Sequence, residues 1–170
     1  MTAIDETRPG GPGKYTRDGS QPDVGQVTRA LTLPQLPYAD AVHAALDALK
    51  FLPDALEAGV RTETPGRQRE LFLRLDWLPG HDDLVLPAMA ADGLTVMWSH
   101  LAGWATRSGD DLLVLDLTEL AAPALVADAA MHAALHGLRC ACERPDTWGR
   151  WDHALELDIA LVNYAEREAR

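Results

Sequence analysis

The sequence predicts an α+β fold in which an antiparallel sheet of three or four strands is packed on one face by helices. Three observations predict it. Apolar residues recur at helical spacing between Tyr38 and Leu52. They occupy every second position from Leu71 to Trp77, and short apolar runs separated by turns follow. Two more helical patterns come after Pro123, so the expected order is α-β-β-β(-β)-α-α.

The first helix is expected between Tyr38 and Leu52, because three apolar residues recur there at intervals of three and four. These residues are Val42, Leu46 and Leu49. Pro53 follows the pattern and ends it. We expect residues 53–57 to add one short helical turn and residues 61–70 to form a polar loop.

The middle of the chain predicts strands joined by short turns. Leu71–Trp77 is expected to form a half-buried strand. A turn at residues 91–93 precedes a second strand at Leu94–Trp98. Two further short strands are expected at Trp104–Arg107 and Leu112–Leu117. Short connections favour an antiparallel meander of neighbouring strands.

A helix is expected between Pro123 and Gly137, since proline suits the first turn and glycine suits the position after the last. Its only charged residue is Asp128, so it is expected to be buried on more than one side.

A longer last helix is expected from about Thr147 to Glu168, with Asp146 as its N-cap. Its apolar residues form one broad arc around the helix: Trp148, Trp151, Leu155, Ile159 and Val162, widened by Leu157, Leu161 and Tyr164. Asp158 falls within this arc. Because an unpaired charge is costly there, we expect it to have an arginine or histidine partner.

The chain length and the termini predict one domain. The 170 residues suit a single domain, expected to span residues 26–170. Residues 1–25 lack periodicity and contain the proline–glycine run 9–13, which predicts a flexible tail. This tail has no apolar segment typical of a secretory signal, and no run approaches the roughly 18 apolar residues of a membrane span. We therefore expect a cytoplasmic protein that does not enter membranes.

Charge and composition exclude several classes of protein. The net charge of −11 argues against direct binding to nucleic acid or to an anionic membrane surface. Two cysteines are too few for a disulfide scaffold. Lysine occurs only at Lys14 and Lys50 while alanine is frequent, which indicates a GC-rich genome, bacterial or phage. The acid excess also suits a decoy or regulator of a DNA-binding protein.

The strongest metal motif is His132-x3-His136-x3-Cys140-x-Cys142. Histidines four residues apart lie on the same side of a helix, and zinc accepts imidazole and thiolate ligands. The alternative is two partly buried histidines and two ordinary small cysteines. We expect no cofactor, and zinc bound at this cluster is the alternative.

A second polar cluster consists of His81, Asp82, Asp83 and His100. It has the residue types for a divalent ion or for acid–base chemistry. The alternative is that the two acids are solvated turn residues. The sequence contains neither a glycine-rich nucleotide loop nor a Gly-x-Ser-x-Gly elbow, so we assign no catalytic residues and favour a non-enzymatic function while leaving enzyme activity open.

Five tryptophans are candidate core or interface residues. Trp77, Trp98 and Trp104 fall on predicted strands, whereas Trp148 and Trp151 open the last predicted helix. Indole rings bury large areas, which favours a seam in the sheet–helix core, and the alternative is a partly exposed aromatic groove for a partner. The candidate interaction residues are Trp98, Trp104, Trp148 and Trp151.

The segment Trp98–Trp104 reads W-x-x-x-x-G-W in the middle of the α+β pattern. With the helix before it and Pro123 after it, the segment resembles small actinobacterial α+β proteins of unknown function. The resemblance covers residues 38–136. It implies this fold and a GC-rich bacterial or phage host, and it brings no catalytic residues.

The favoured function is a non-enzymatic interaction or regulatory module that forms a homodimer or binds another protein. The last two predicted helices offer more apolar surface than one small sheet covers, and excess apolar surface marks interfaces. The alternatives are a zinc-binding protein that uses the His–Cys cluster and an acidic decoy or regulator of a DNA-binding protein.

Overall fold

An antiparallel sheet forms the centre of the structure, a computed structural model that describes residues 33–62, 69–142 and 148–168. Within these residues the sheet has five strands, and each pairs with its neighbours in the chain. The strands are β1 (Ala55–Arg61), β2 (Glu70–Trp77), β3 (Leu94–Ser99), β4 (Gly103–Ser108) and β5 (Asp111–Val114). The predicted tail 1–25 and its boundary at residue 26 lie outside the described residues.

Four helices accompany the sheet in the described part of the chain. They are α1 (Leu36–Ala48), α2 (Pro87–Asp92), α3 (Pro123–His136) and α4 (Ala154–Glu168). A proline lies in the first turn of each of the first three, where its missing N–H leaves no helical bond unmade. None of the described helices has both the length and the apolar character that a membrane span requires.

The core lies between one face of the sheet and the helices. Leu73 of β2 is opposite Trp98 of β3, which is opposite Trp104 of β4. The helices cover this row with a set of buried side chains: Tyr38, Val42, Leu46, Val126, Ala127 and Ala130. The predicted α+β class, with helices over one face of an antiparallel sheet, is confirmed.

The predicted strand count of three or four is wrong, because residues 55–61 form a fifth strand instead of a helical turn and a loop. Their sequence has weak strand preference, and pairing with β2 decides the conformation. The register runs from Ala55 opposite Asp76 to Arg61 opposite Glu70. The Phe72 ring lies 3.0 Å from the position a Cβ of Gly59 would take, so the ring packs directly over this glycine.

The last helix begins later than the sequence predicts. Thr147 and the predicted cap Asp146 lie outside the described residues, and the helix starts at Ala154. The preceding residues pair with another segment of the backbone. Ala122 N–H donates to the Gly149 carbonyl at 2.9 Å, and Trp151 N–H donates to the Leu120 carbonyl at 2.9 Å. These long-range bonds hold the chain extended where local preference favours a helix.

Candidate functional site

A His–Cys cluster forms where the chain turns back after α3. Gly137 ends the helix with φ of 78°, a conformation that glycine adopts without strain. Leu138 is then buried, which anchors the turn. As a result Cys140 Sγ lies 2.9 Å from His132 Nε2.

Three of the four predicted zinc ligands come together. His132, Cys140 and Cys142 each offer one ligand atom, and these atoms lie within 4.8 Å of one another. In the described ranges this is the only group of three or more His, Cys, Asp or Glu side chains with that proximity. His136 lies beside the group, with its ring centroid 4.6 Å from that of His132.

Cys140 affects the ionisation of the neighbouring Cys142 thiol. Cys140 and Cys142 are both free cysteines, and Cys142 is exposed. The pKa of the Cys142 thiol is raised above its ordinary value, chiefly by its hydrogen bond with Cys140. Desolvation and the charge of Cys140 add to the shift. The thiol of Cys142 is therefore held in its protonated form when no cation is bound.

A groove with a volume of about 540 Å³ runs along α3, between this helix and residues 113–117. Its walls are mainly apolar: Leu113, Leu115, Leu117, Leu125, Met131 and Leu135. His132, His136 and Asp128 also line it, so the His–Cys cluster adjoins the groove. The sequence pattern contained no signal for this groove, because its walls come from segments that the tertiary fold brings together.

The second candidate surface is an exposed apolar line on α4. Leu155, Ile159 and Val162 are 65%, 55% and 58% exposed, and their spacing puts them on one side of the helix. The core side is formed by Ala154 and Leu157. Much of the apolar arc predicted from the sequence thus faces away from the core.

Asp158 has the partner that the sequence predicted. Its carboxylate accepts a hydrogen bond from the Arg150 guanidinium. Arg150 lies in the extended segment before α4, so this ion pair fastens that segment to the first turns of the helix.

The candidate interaction tryptophans occupy different environments. Trp98 and Trp104 are each 1% exposed, and Trp98 Nε1–H donates to the Glu119 carbonyl at 2.6 Å. Trp151 is half-buried against Tyr38, with ring centroids 5.0 Å apart. Trp148 is 81% exposed. Of the four candidate tryptophans, Trp148 therefore offers a partner the most exposed side chain.

The structure does not bring the second polar cluster together. His81 follows the end of β2, and His100 follows the end of β3. The two strands are antiparallel, so the end of one lies beside the start of the other. From the rise per residue of a strand, the two ends are roughly 17 Å apart. Each ring has a local role: His81 Nδ1 accepts from Asp83 N–H at 3.2 Å, and His100 Nδ1 accepts from Leu71 N–H at 3.1 Å.

Comparison with known proteins adds no functional assignment. No family model, curated protein or solved structure matches this chain at a significant level.

Proposed function

We propose that this protein is a cytoplasmic, non-enzymatic interaction module that forms a homodimer through the exposed face of α4. The observation that carries the proposal is the line formed by Leu155, Ile159 and Val162, each more than half exposed. Burying three such side chains against a partner removes them from water, which favours association.

The occupant that best fits this line is a second copy of the chain. A two-fold axis near Ile159 brings Leu155 of each copy close to Val162 of the other, so the surface is complementary to itself. The antiparallel arrangement also opposes the two helix macrodipoles.

The mixed charges on the face of the sheet opposite the helices favour this function over an acidic decoy. A decoy needs carboxylates gathered on one surface. Here the Arg61 guanidinium donates through Nε–H to the Glu70 carboxylate at 2.6 Å, and the Arg74 guanidinium donates through Nε–H to the Asp76 carboxylate at 2.8 Å. The positive and negative charges therefore interleave on this face.

Substitution of Ile159 tests the proposal. The untagged full chain is expected to sediment with twice the mass of one 18.5 kDa chain. Ile159→Glu would bury a carboxylate at the centre of the interface, which is expected to weaken the dimer by roughly 100-fold or more. Sedimentation velocity across a concentration series measures both masses.

A matched control separates the interface from a general charge effect. Val85 is 64% exposed and lies in the loop before α2. Val85→Glu adds the same charge and should leave the dimer unchanged. A monomeric wild-type chain at high concentration, or equal dissociation of both variants, would overturn the proposal.

A further inference from the structure

The turn after α3 places three soft metal ligands at one point. In a tetrahedral site, with zinc–sulfur bonds of about 2.3 Å and zinc–nitrogen bonds of about 2.0 Å, neighbouring ligand atoms lie about 3.5–3.8 Å apart. The ligand atoms of His132, Cys140 and Cys142 lie within 4.8 Å of one another. Shifts of about 1 Å in the half-buried Cys140 side chain and the exposed Cys142 side chain would therefore bring the three ligand atoms to zinc geometry.

The donor set selects the class of metal. Two thiolates and one imidazole suit zinc, whereas magnesium and calcium prefer oxygen ligands. Without a metal, the contact of 2.9 Å between His132 Nε2 and Cys140 Sγ is a hydrogen bond. A bound ion would replace this hydrogen bond with two coordination bonds and separate the two atoms.

We propose that His132, Cys140 and Cys142 bind one zinc ion, which fastens residues 138–142 to the C-terminal half of α3. His136 is left outside the ligand set, because its side chain does not belong to the group whose ligand atoms converge. The fourth coordination position is then taken by water or by another small donor. The site adjoins the apolar groove through His132.

Metal content and coordination are measured on the untagged full chain. Native mass spectrometry after incubation with zinc should find one ion per chain. Replacing zinc with cobalt should produce the visible bands of a tetrahedral ion and a near-ultraviolet band from sulfur-to-cobalt charge transfer. His132→Ala and Cys140→Ser should lose the stoichiometric ion.

Cys142→Ser is the sharpest variant, because Cys142 is exposed and its replacement leaves the core intact. It should also lose the stoichiometric ion, while circular dichroism shows an unchanged fold. His136→Ala and His153→Ala are the matched controls and should keep the ion and the cobalt spectrum.

Three results would overturn the assignment. They are the absence of retained zinc in the wild type, unchanged binding in Cys142→Ser, and loss of the ion in His136→Ala, which would instead make His136 a ligand. Failure of the zinc proposal leaves the dimer proposal intact, because the same mass spectrum measures the number of subunits independently of the metal content.

Discussion

Tyr38 connects three parts of the core through one side chain. The residue is fully buried, and its hydroxyl donates to the Ala121 carbonyl at 2.7 Å. Its ring contacts those of Trp98, Trp104 and Trp151. Burial raises the pKa of Tyr38 well above its ordinary value, since the phenolate would lose its hydration.

We expect Tyr38→Phe to lower the free energy of unfolding by about 1–3 kcal/mol, because the buried Ala121 carbonyl loses its donor. Denaturant titration measures the change, and Tyr164→Phe on the half-buried side of α4 is the control.

The raised pKa of Tyr38 also predicts an effect of pH on the stability of the fold. The stabilisation of the folded state by neutral Tyr38 is complete below the pKa of tyrosine in the unfolded chain, about 10, and it declines as the pH rises above that value.

Above that pH the wild type should therefore lose about 1.4 kcal/mol per pH unit more than Tyr38→Phe. Equal alkaline slopes for the two proteins would show that Tyr38 ionises as easily in the fold as in the unfolded chain.

Among the elements, α4 has two apolar sides, of which the core covers one. Ala154 and Leu157 face the core, while Leu155, Ile159 and Val162 stay exposed. Contiguous exposed apolar surface of this kind marks protein–protein interaction sites. The orientation of that partner is testable by charge pairing across the proposed two-fold axis.

Leu155→Glu and Val162→Arg should each disrupt the dimer when introduced alone, because each puts an unpaired charge into an apolar interface. Together in one chain they should restore it, since an antiparallel pair sets each glutamate beside the partner's arginine. A parallel pair would bring like charges together. Sedimentation of the double variant distinguishes these cases, and a double variant weaker than both single variants would contradict the antiparallel arrangement.

At the scale of the whole molecule, dimerisation links folding to protein concentration. When only the folded chain self-associates, a higher protein concentration stabilises the folded state by mass action. We expect the Tm of the wild type to rise by about 1–3 °C for each tenfold increase in concentration. Ile159→Glu should abolish this dependence. Scanning calorimetry at two concentrations measures it, and a Tm that is independent of concentration in the wild type would oppose a homodimer.

Local pattern alone determined the class of fold and several of its elements. The alternation from Leu71 to Trp77 fixes which face of β2 is buried, since side chains on a strand point to alternate faces. Pro123 and Gly137 bound α3 by their own backbone restrictions. The sequence also predicted a cationic partner for Asp158, and Arg150 is that partner, although the pair lies at the surface and not among buried apolar side chains.

Only the tertiary structure decided the remaining features, because they depend on partners distant in the chain. Pairing with β2 makes Ala55–Arg61 a strand, and backbone bonds to residues 120–122 delay the start of α4 to Ala154. The spacing of the histidines and cysteines suggested a cluster. The turn at Gly137 decided which three of the four candidate ligands converge. Packing decided which side of α4 stays exposed, because both sides are apolar.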